Sequence, residues 1–533
     1  PRYVFPPLEG LREVKGLNKK LFFIRVTICY TPNVIVLLLK KNENTMRSLF
    51  LITCFVILSI SSKAQLTIPQ AIQEILSFEP MKYASLSFCA MEVETGKMVG
   101  QYQPNMSLVP ASTMKAVTTA TALSILGHSY TFKTKLEYDG KIKNGVLDGN
   151  IYITGTGDPT LGSSKMDKVM RLNELMGKLI QSIKEHGIKK INGLVIGDGS
   201  YFTTSMPAAN WQWNDIANYY GGGASGLNIH ENMFYLSFQQ KLKLNSIPSI
   251  ANVSPKMPYL TFINEVRSDK SGTGDNAYFF GAPYTSTRYL RGTIPVGKKK
   301  FTIKGAIPDP PFYAAYRLIQ ELEASGIETK KMAKNIFEYR REGQDKYRSR
   351  KTLLTIKSPT VSAIIKRTNE KSVNLYAEAL LRTMGKKRKG EASTEKGIEA
   401  VKDFWKDRGM DMDGFFMEDG SGLSPRNGVT TYQMTQIMRK TAKDKGIFDH
   451  LYGSLAIGGR TGTGSYMFKK SKAAGNIRLK SGSMRRCRAY TGYAKTKSGK
   501  LLAYTIIANN FTGKSKFIRL KMEKVMTALV YLP

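Results

Sequence analysis

The chain has 533 residues and a mass of 59.5 kDa, too long for one ordinary hydrophobic core, so two or three domains are expected. Its 42% hydrophobic and 23% charged residues are those of a globular protein that buries real cores. The net charge of +39 makes the body an attractor of polyanions, but no zinc-finger, RNA-recognition or glycine-rich phosphate pattern accompanies it, so nucleic acid is not the expected partner; the charge reads as a solvated basic surface, with peripheral contact to an anionic membrane or wall polymer as the alternative.

Along the chain, Met46-Arg47 precedes an apolar run of 11 residues from Phe50 to Ile60, with small residues at Ser62 and Ala64. This reads as a signal peptide over 46–64, cut after Ala64, and predicts export to the periplasm; a membrane-spanning helix needs about 20 residues. Residues 1–45 are expected to be an upstream extension outside the fold, and Cys29 and Cys54 fall in the excluded region. Cys89 and Cys487 remain in strand-like segments and read as buried free thiols, though a bridge stays open because sequence does not place their Cα atoms. His128, His186, His230 and His450 are scattered, so no metal, no cofactor and no Ser-His-Asp mechanism is expected.

Ser85 to Val93, a turn, and Met98 to Tyr102 predict two paired strands. Pro110-Ala111-Ser112 then opens a helix through Met114 to Leu126, stopped at Gly127. Ser112 stands at its amino end, and Lys115, three residues on, shares its face. The stretch 132–350 reads as β-rich with scattered helices: strands at Lys133–Tyr138, Gly149–Gly155, Gly193–Gly197 and Phe234–Gln239, and helices at Leu172–His186 and Phe312–Ser325. Gly155 to Pro159 and Gly221 to Gly223 read as turns, since neither leads into a phosphate-loop helix. Ser372-Val373-Asn374 forms an extended turn with both polar side chains towards one cleft, and Ser372 is also expected to cap a helix over Leu375–Met384. Strands follow at Ile477–Ser483, Ala489–Ala494 and Leu501–Ala508, then an amphipathic helix over Lys516–Leu529.

Three short motifs in one order carry chemistry: Ser112-Thr113-Met114-Lys115, Ser372-Val373-Asn374 and Lys480-Ser481-Gly482. Ser-x-x-Lys recurs at Ser393 and Lys-Ser-Gly at Lys270 and Lys497, but Ser393 and Lys270 break the order and Lys497 sits in a polar hairpin turn. Ser112 is the candidate nucleophile and Lys115 its base. A free lysine titrates near 10.4, so action near pH 7 to 8 requires a shift costing about 3 to 4 kcal/mol, which burial and a second cation at Lys480 supply. Ser372 is placed to relay a proton from Lys115 to the leaving amine, and Asn374 to hold a substrate amide. The backbone N–H groups of Ser112 and Ser483 are the expected oxyanion hole, one donor being worth about 3 to 4 kcal/mol. Gly482 leaves room for substrate backbone, and Lys480, Ser481 and Ser483 suit a carboxylate. The 257 positions between Lys115 and Ser372 require an insertion that loops out and returns.

The triplet resembles that of serine penicillin-recognising enzymes, and the long interval after Lys115 resembles the D-alanyl-D-alanine carboxypeptidase/endopeptidases, the class C low-molecular-mass penicillin-binding proteins of penicillin-binding protein 4 type. Gly155 to Leu161, Asp419 to Ser424 and Arg488 to Tyr493 add to the likeness, which spans most of residues 66–533. It implies an α+β, serine β-lactamase/transpeptidase-like domain, an antiparallel sheet flanked by helices, formed by 65–131 and 351–533. Two nested β-rich domains would be inserted at 132–350. It also implies peptidase action on peptidoglycan stem peptides and acylation by β-lactams. Lys-Ser-Gly stands where the family more often has Lys-Thr-Gly, keeping the hydroxyl, and Arg485-Arg486-Cys487 is bulkier and more basic than expected. The competing readings are a serine β-lactamase, against which no Glu-x-x-x-Asn stands between Asn374 and Lys480, and a non-catalytic wall-binding scaffold or β-lactam sensor. Oligomeric state is not readable.

Overall fold

A computed structural model describes residues 66–533 apart from 241, 242, 298, 345–348 and 470; the expected signal peptide, the upstream stretch, Cys29 and Cys54 lie outside the described residues. Helix α1 (Ile68–Leu76) starts with a capping box in which Thr67 and Gln70 satisfy each other's backbone N–H groups. Its buried stripe of Ile68, Ala71, Ile72 and Ile75 faces a sheet built from both ends of the chain.

That sheet joins β1 (Ser85–Glu92) and β2 (Met98–Tyr102) to β3 (Ala456–Ile457), β4 (Ile477–Met484), β5 (Cys487–Lys495) and β6 (Leu501–Asn509). The order is β2-β1-β6-β5-β4-β3, antiparallel throughout. Side-chain alternation buries both faces. Tyr490, Ala494, Leu502, Tyr504 and Ile506 join the core of α1 and the closing helix α6, whereas Ala489, Tyr493, Ala503 and Ile507 join the core of the central helices. Those helices are α2 (Met114–Leu126), α3 (Val361–Lys371), α4 (Asn374–Lys389) and α5 (Thr431–Lys443); the closing helix α6 spans Ser515–Val530. Every residue from Met114 to Leu123 is buried, so α2 is a core helix whose small side chains admit neighbours on all sides.

The stretch after α2 builds a second apolar core around Leu136, Ile153, Leu179, Ile183, Val195, Phe234 and Leu318. Its five-stranded sheet runs, in order, through Ala333–Asn335, Val195–Asp198, Ile151–Gly155, Lys133–Tyr138 and Lys351–Lys357. The outgoing strand Lys133–Tyr138 and the returning strand Lys351–Lys357 are antiparallel neighbours, with Thr134 opposite Ile356. The chain therefore leaves and rejoins the central helices at adjacent points. Helices Leu172–Glu185 and Pro310–Ala324 contribute to this core, and smaller sheets include Met233–Gln239 and the pair Asn276–Phe280 and Thr287–Pro295. That last pair was not anticipated: its outward faces carry aromatic and charged residues, and Gly292 interrupts the alternation.

Leu380 on α4 is fully buried in the core of the central helices. Leu380→Ala is expected to lower stability by about 2 to 5 kcal/mol, read as a reduced midpoint in chemical denaturation with the slope unchanged.

Candidate active site

The approach to Ser112 is held before the helix begins. Val109 N–H donates to Asn509 Oδ1 (2.8 Å), and its carbonyl accepts from Asn509 Nδ2 (3.2 Å) and from the Cys487 thiol (3.2 Å). Cys487 is thus a free, buried thiol with a local structural task, and Cys89 is also free. Burial pushes both thiols up to about 12. Ala111 then takes a left-handed φ of 46°, a strain of about 1 to 2 kcal/mol for a residue with a Cβ. Ser112 lies in a 3-10 turn, Ala111–Thr113, that precedes α2 rather than in the helix itself. The carbonyl of Ala111 faces Gly422, where a Cβ would fall 1.9 Å from it.

Lys115 is completely buried. Its Nζ is 2.9 Å from Ser112 Oγ and donates to Asn374 Oδ1 and to the Ser421 carbonyl, both at 2.6 Å. Burial pushes this amine down to about 7, against the upward pull of the Asp419 and Glu378 carboxylates. At that value the amine is readily neutral, with two N–H donors and one lone pair. Its three partners match: Asn374 and Ser421 take the hydrogens, and the lone pair is left to accept the Ser112 proton.

The second motif departs from its expected geometry. Ser372 does not cap the following helix; it ends α3 in a left-handed conformation (φ 58°, ψ 44°), and Val373 is the amino cap of α4. The Ser372 hydroxyl accepts from Lys480 Nζ at 3.0 Å, while the Lys115 amine meets Asn374. Asn374 is engaged on both sides, since its Nδ2 donates to the Tyr220 carbonyl at 2.8 Å.

On β4, Lys480 is fully buried and donates to Ser372 Oγ and to the Ser481 carbonyl (2.8 Å). Burial first, and the charge of Lys115 second, hold its amine well below the usual lysine range. Alternation sends Lys480 and Gly482 to one face and Ser481 and Ser483 to the other. A Cβ on Gly482 would lie 2.5 Å from the Pro110 carbonyl and 3.1 Å from Ser112 N. The space kept by this glycine is therefore filled by the turn that carries Ser112, not left for substrate backbone. Ser481, 9% exposed, bonds Thr463 Oγ1 at 2.8 Å; Ser483 is exposed. Strand β3 pairs with β4 only at Leu479 and Arg478, so that side of β4 is not covered by β3 from Lys480 onward.

Sequence reasoning missed four participants: Thr463, the Ser421 carbonyl, and the buried carboxylates Glu378 and Asp419. Glu378 is pushed up to about 7 by burial and then by Asp419; Asp419 is also raised by burial. Asp419 to Ser424 had been noticed only as family-like.

A serine paired with a buried lysine, backed by a second serine and a second buried lysine on an antiparallel strand, defines the serine penicillin-recognising class on its α+β fold. The model of the D-Ala-D-Ala carboxypeptidase 3 (S13) family matches residues 68–529, and the chain belongs to that family; its enzyme class is serine-type D-Ala-D-Ala carboxypeptidase. It is 26% identical over 433 residues to the D-alanyl-D-alanine carboxypeptidase DacB of Haemophilus influenzae, covering 80% of this chain and 86% of that one. It is 22% identical over 466 residues to the D-alanyl-D-alanine carboxypeptidase of Actinomadura sp. (strain R39), covering 86% and 84%. The crystal structure of penicillin binding protein 4 from Haemophilus influenzae matches with a TM-score of 0.73 at 23% identity, over 88% of this chain and all of that one. The same protein complexed with a β-lactam gives 0.68 at 22% identity, over 87% and 98%. These structures share the fold of the chain, as the α+β expectation required.

Gly482→Ala is expected to push the Ser112 turn out of line and lower the rate of D-Ala release about 10- to 100-fold. Melting temperature measured in parallel should fall as well, since Ala111 and Thr113 of the affected turn are buried, so rates are compared well below the melting transition.

Proposed function

We propose that Ser112 attacks the carbonyl of the penultimate D-Ala of a peptidoglycan stem peptide, with Lys115 taking its proton. The terminal D-Ala departs as an amine, and water hydrolyses the acyl-enzyme. The same site acting on a cross-link would give endopeptidase activity, and a β-lactam would acylate Ser112 in place of the peptide. Ser372, held by Lys480, is the group placed to return a proton to the leaving nitrogen. Ser481 and Thr463, with the positive field of Lys480 behind them, would receive the substrate carboxylate, and the N–H groups of Ser112 and Ser483 the oxyanion. The observation that carries this reading is the meeting of remote segments at one amine: Lys115 lies 2.9 Å from Ser112 and 2.6 Å from Asn374, 259 positions away. The leader at 46–64 supports a periplasmic site of action, where such substrates occur. The stretch 132–350 is proposed as inserted domains on a catalytic domain formed by 65–131 and 351–533.

Residues 65–533 incubated with a D-Ala-D-Ala tripeptide and with a fluorescent penicillin test this directly. D-Ala release and a single covalent adduct at Ser112, absent in Ser112→Ala, are expected. An acyl adduct lasting hours fits the peptidase, whereas loss within milliseconds would indicate a β-lactamase; a wild type that neither labels nor releases D-Ala would leave only the scaffold.

The pH dependence has a definite sign. Because Lys115 is held down to about 7, its amine is neutral above that pH and protonated below it. Acylation should therefore rise through about pH 7 and be lost on the acid side, measured as the second-order labelling rate from pH 5 to 10.

A further inference from the structure

Two hydrogen bonds reach the surroundings of Lys115 from a segment that belongs to none of the three motifs. Trp211 and Tyr220 lie between the strands Val195–Asp198 and Met233–Gln239, on the chain that loops out after α2. The buried Trp211 indole donates Nε1–H to Asp419 Oδ2 at 2.7 Å. Asp419 is itself fully buried and accepts from Gly422 N–H (2.6 Å), Ser424 N–H (2.6 Å) and Asn427 Nδ2 (3.1 Å). These bonds fix the loop whose Ser421 carbonyl receives a Lys115 hydrogen. On the other side, the Tyr220 carbonyl accepts from Asn374 Nδ2 and so turns the amide to present Oδ1 to the amine. A reversed amide would point N–H groups at an N–H donor.

We propose that the segment from Trp211 to Tyr220 is a positioning clamp for the Lys115 amine, acting through Asp419 on one side and Asn374 on the other. A carboxylate offers about four acceptor sites. Three donors to Asp419 come from its own loop, and the fourth is the indole from the remote segment. Two of the amine's three partners are thus oriented by one stretch of chain whose hydrogen bonds reach Asp419 and Asn374, while Ser112 and Lys480 are held by other segments. Any displacement of that stretch changes the reactivity of the base without contact to it. The clamp rests on the reading of Lys115 as the base, and the test separates the two.

Wild type, Trp211→Phe, Asp419→Asn and the double variant are compared for labelling rate with fluorescent penicillin and for kcat and KM of D-Ala release from pH 5 to 10, with melting curves alongside. Wild-type labelling at Ser112 that is lost in Lys115→Ala tests the underlying reading independently. Trp211→Phe should then slow labelling about 10-fold through kcat rather than KM. The charged groups facing Lys115 are Asp419, Glu378 on α4 and Lys480 on β4. Losing the Asp419 charge removes an upward pull on the amine, so the acid limb of Asp419→Asn should move to lower pH. The double variant should be no slower than Asp419→Asn, because both changes break one connection. The clamp is overturned if Trp211→Phe labels within twofold of a labelling wild type, if the two effects multiply, or if the acid limb of Asp419→Asn stays in place. Should Trp211→Phe fail to fold, the labelling rate of Trp211→Leu is read in its place with the same twofold bound.

Discussion

The candidate site is arranged around one buried amine, that of Lys115. An amine without water must find protein partners for each hydrogen and lone pair, or its burial is prohibitive. Lys115 finds three, and each comes from a different piece of chain: Ser112 from the turn before α2, Asn374 from the start of α4, and the Ser421 carbonyl from the loop after Asp419. Solvent exclusion and partner geometry are thus one requirement. The same burial that shifts the amine towards neutrality obliges the fold to supply its acceptors, and those acceptors fix where the amine sits beside Ser112.

The charge balance behind the site follows from this. Lys115, Lys480 and Arg382 are buried, and so are Glu378 and Asp419. Isolated, any one of these ions would be strongly destabilising; grouped, they offset one another while remaining soft in their protonation. Glu378 and Asp419 are pushed up by burial while both lysines are pushed down, so small changes in contact move protons. A site of this kind gains reactivity at a cost in stability, and the apolar cluster around α2, to which Met114, Ala116, Val117, Ala120, Ala122 and Leu123 belong, provides the offset.

How much of this the sequence disclosed depended on whether the signal was local. The strands from both ends of the chain were legible because each alternates buried and exposed or packs both faces with apolar residues, and their turns are marked by glycine and polar runs. Ser112, Lys115, Ser372 and Lys480 were legible because their chemistry is carried by side chains at short spacing. Ser372 as the left-handed end of α3 was not, since nothing in Lys371-Ser372-Val373 announces which of two helices it serves. The crowding at Gly482 was not, because the obstructing atoms are backbone of the Ser112 turn, 370 residues earlier. The Ser421 and Tyr220 carbonyls were invisible for a deeper reason: a main-chain acceptor has no residue type, so only tertiary geometry selects it.

The two lysines do not act independently, and their proximity gives substrate binding a chemical consequence. Lys480 is depressed partly by the charge of Lys115, so by reciprocity a proton on Lys480 disfavours one on Lys115. On the proposed mechanism, a carboxylate arriving beside Ser481 and Thr463 would bring negative charge to β4 and favour the protonated form of Lys480. That proton, once held, would press Lys115 towards its neutral form as the proposed nucleophile Ser112 gives up its own. A ligand lacking the carboxylate would leave the shared charge free to reside on either amine. On that proposal, a preference for free carboxyl ends would enter the chemical step as well as the docking step, through a proton held on one buried lysine instead of the other.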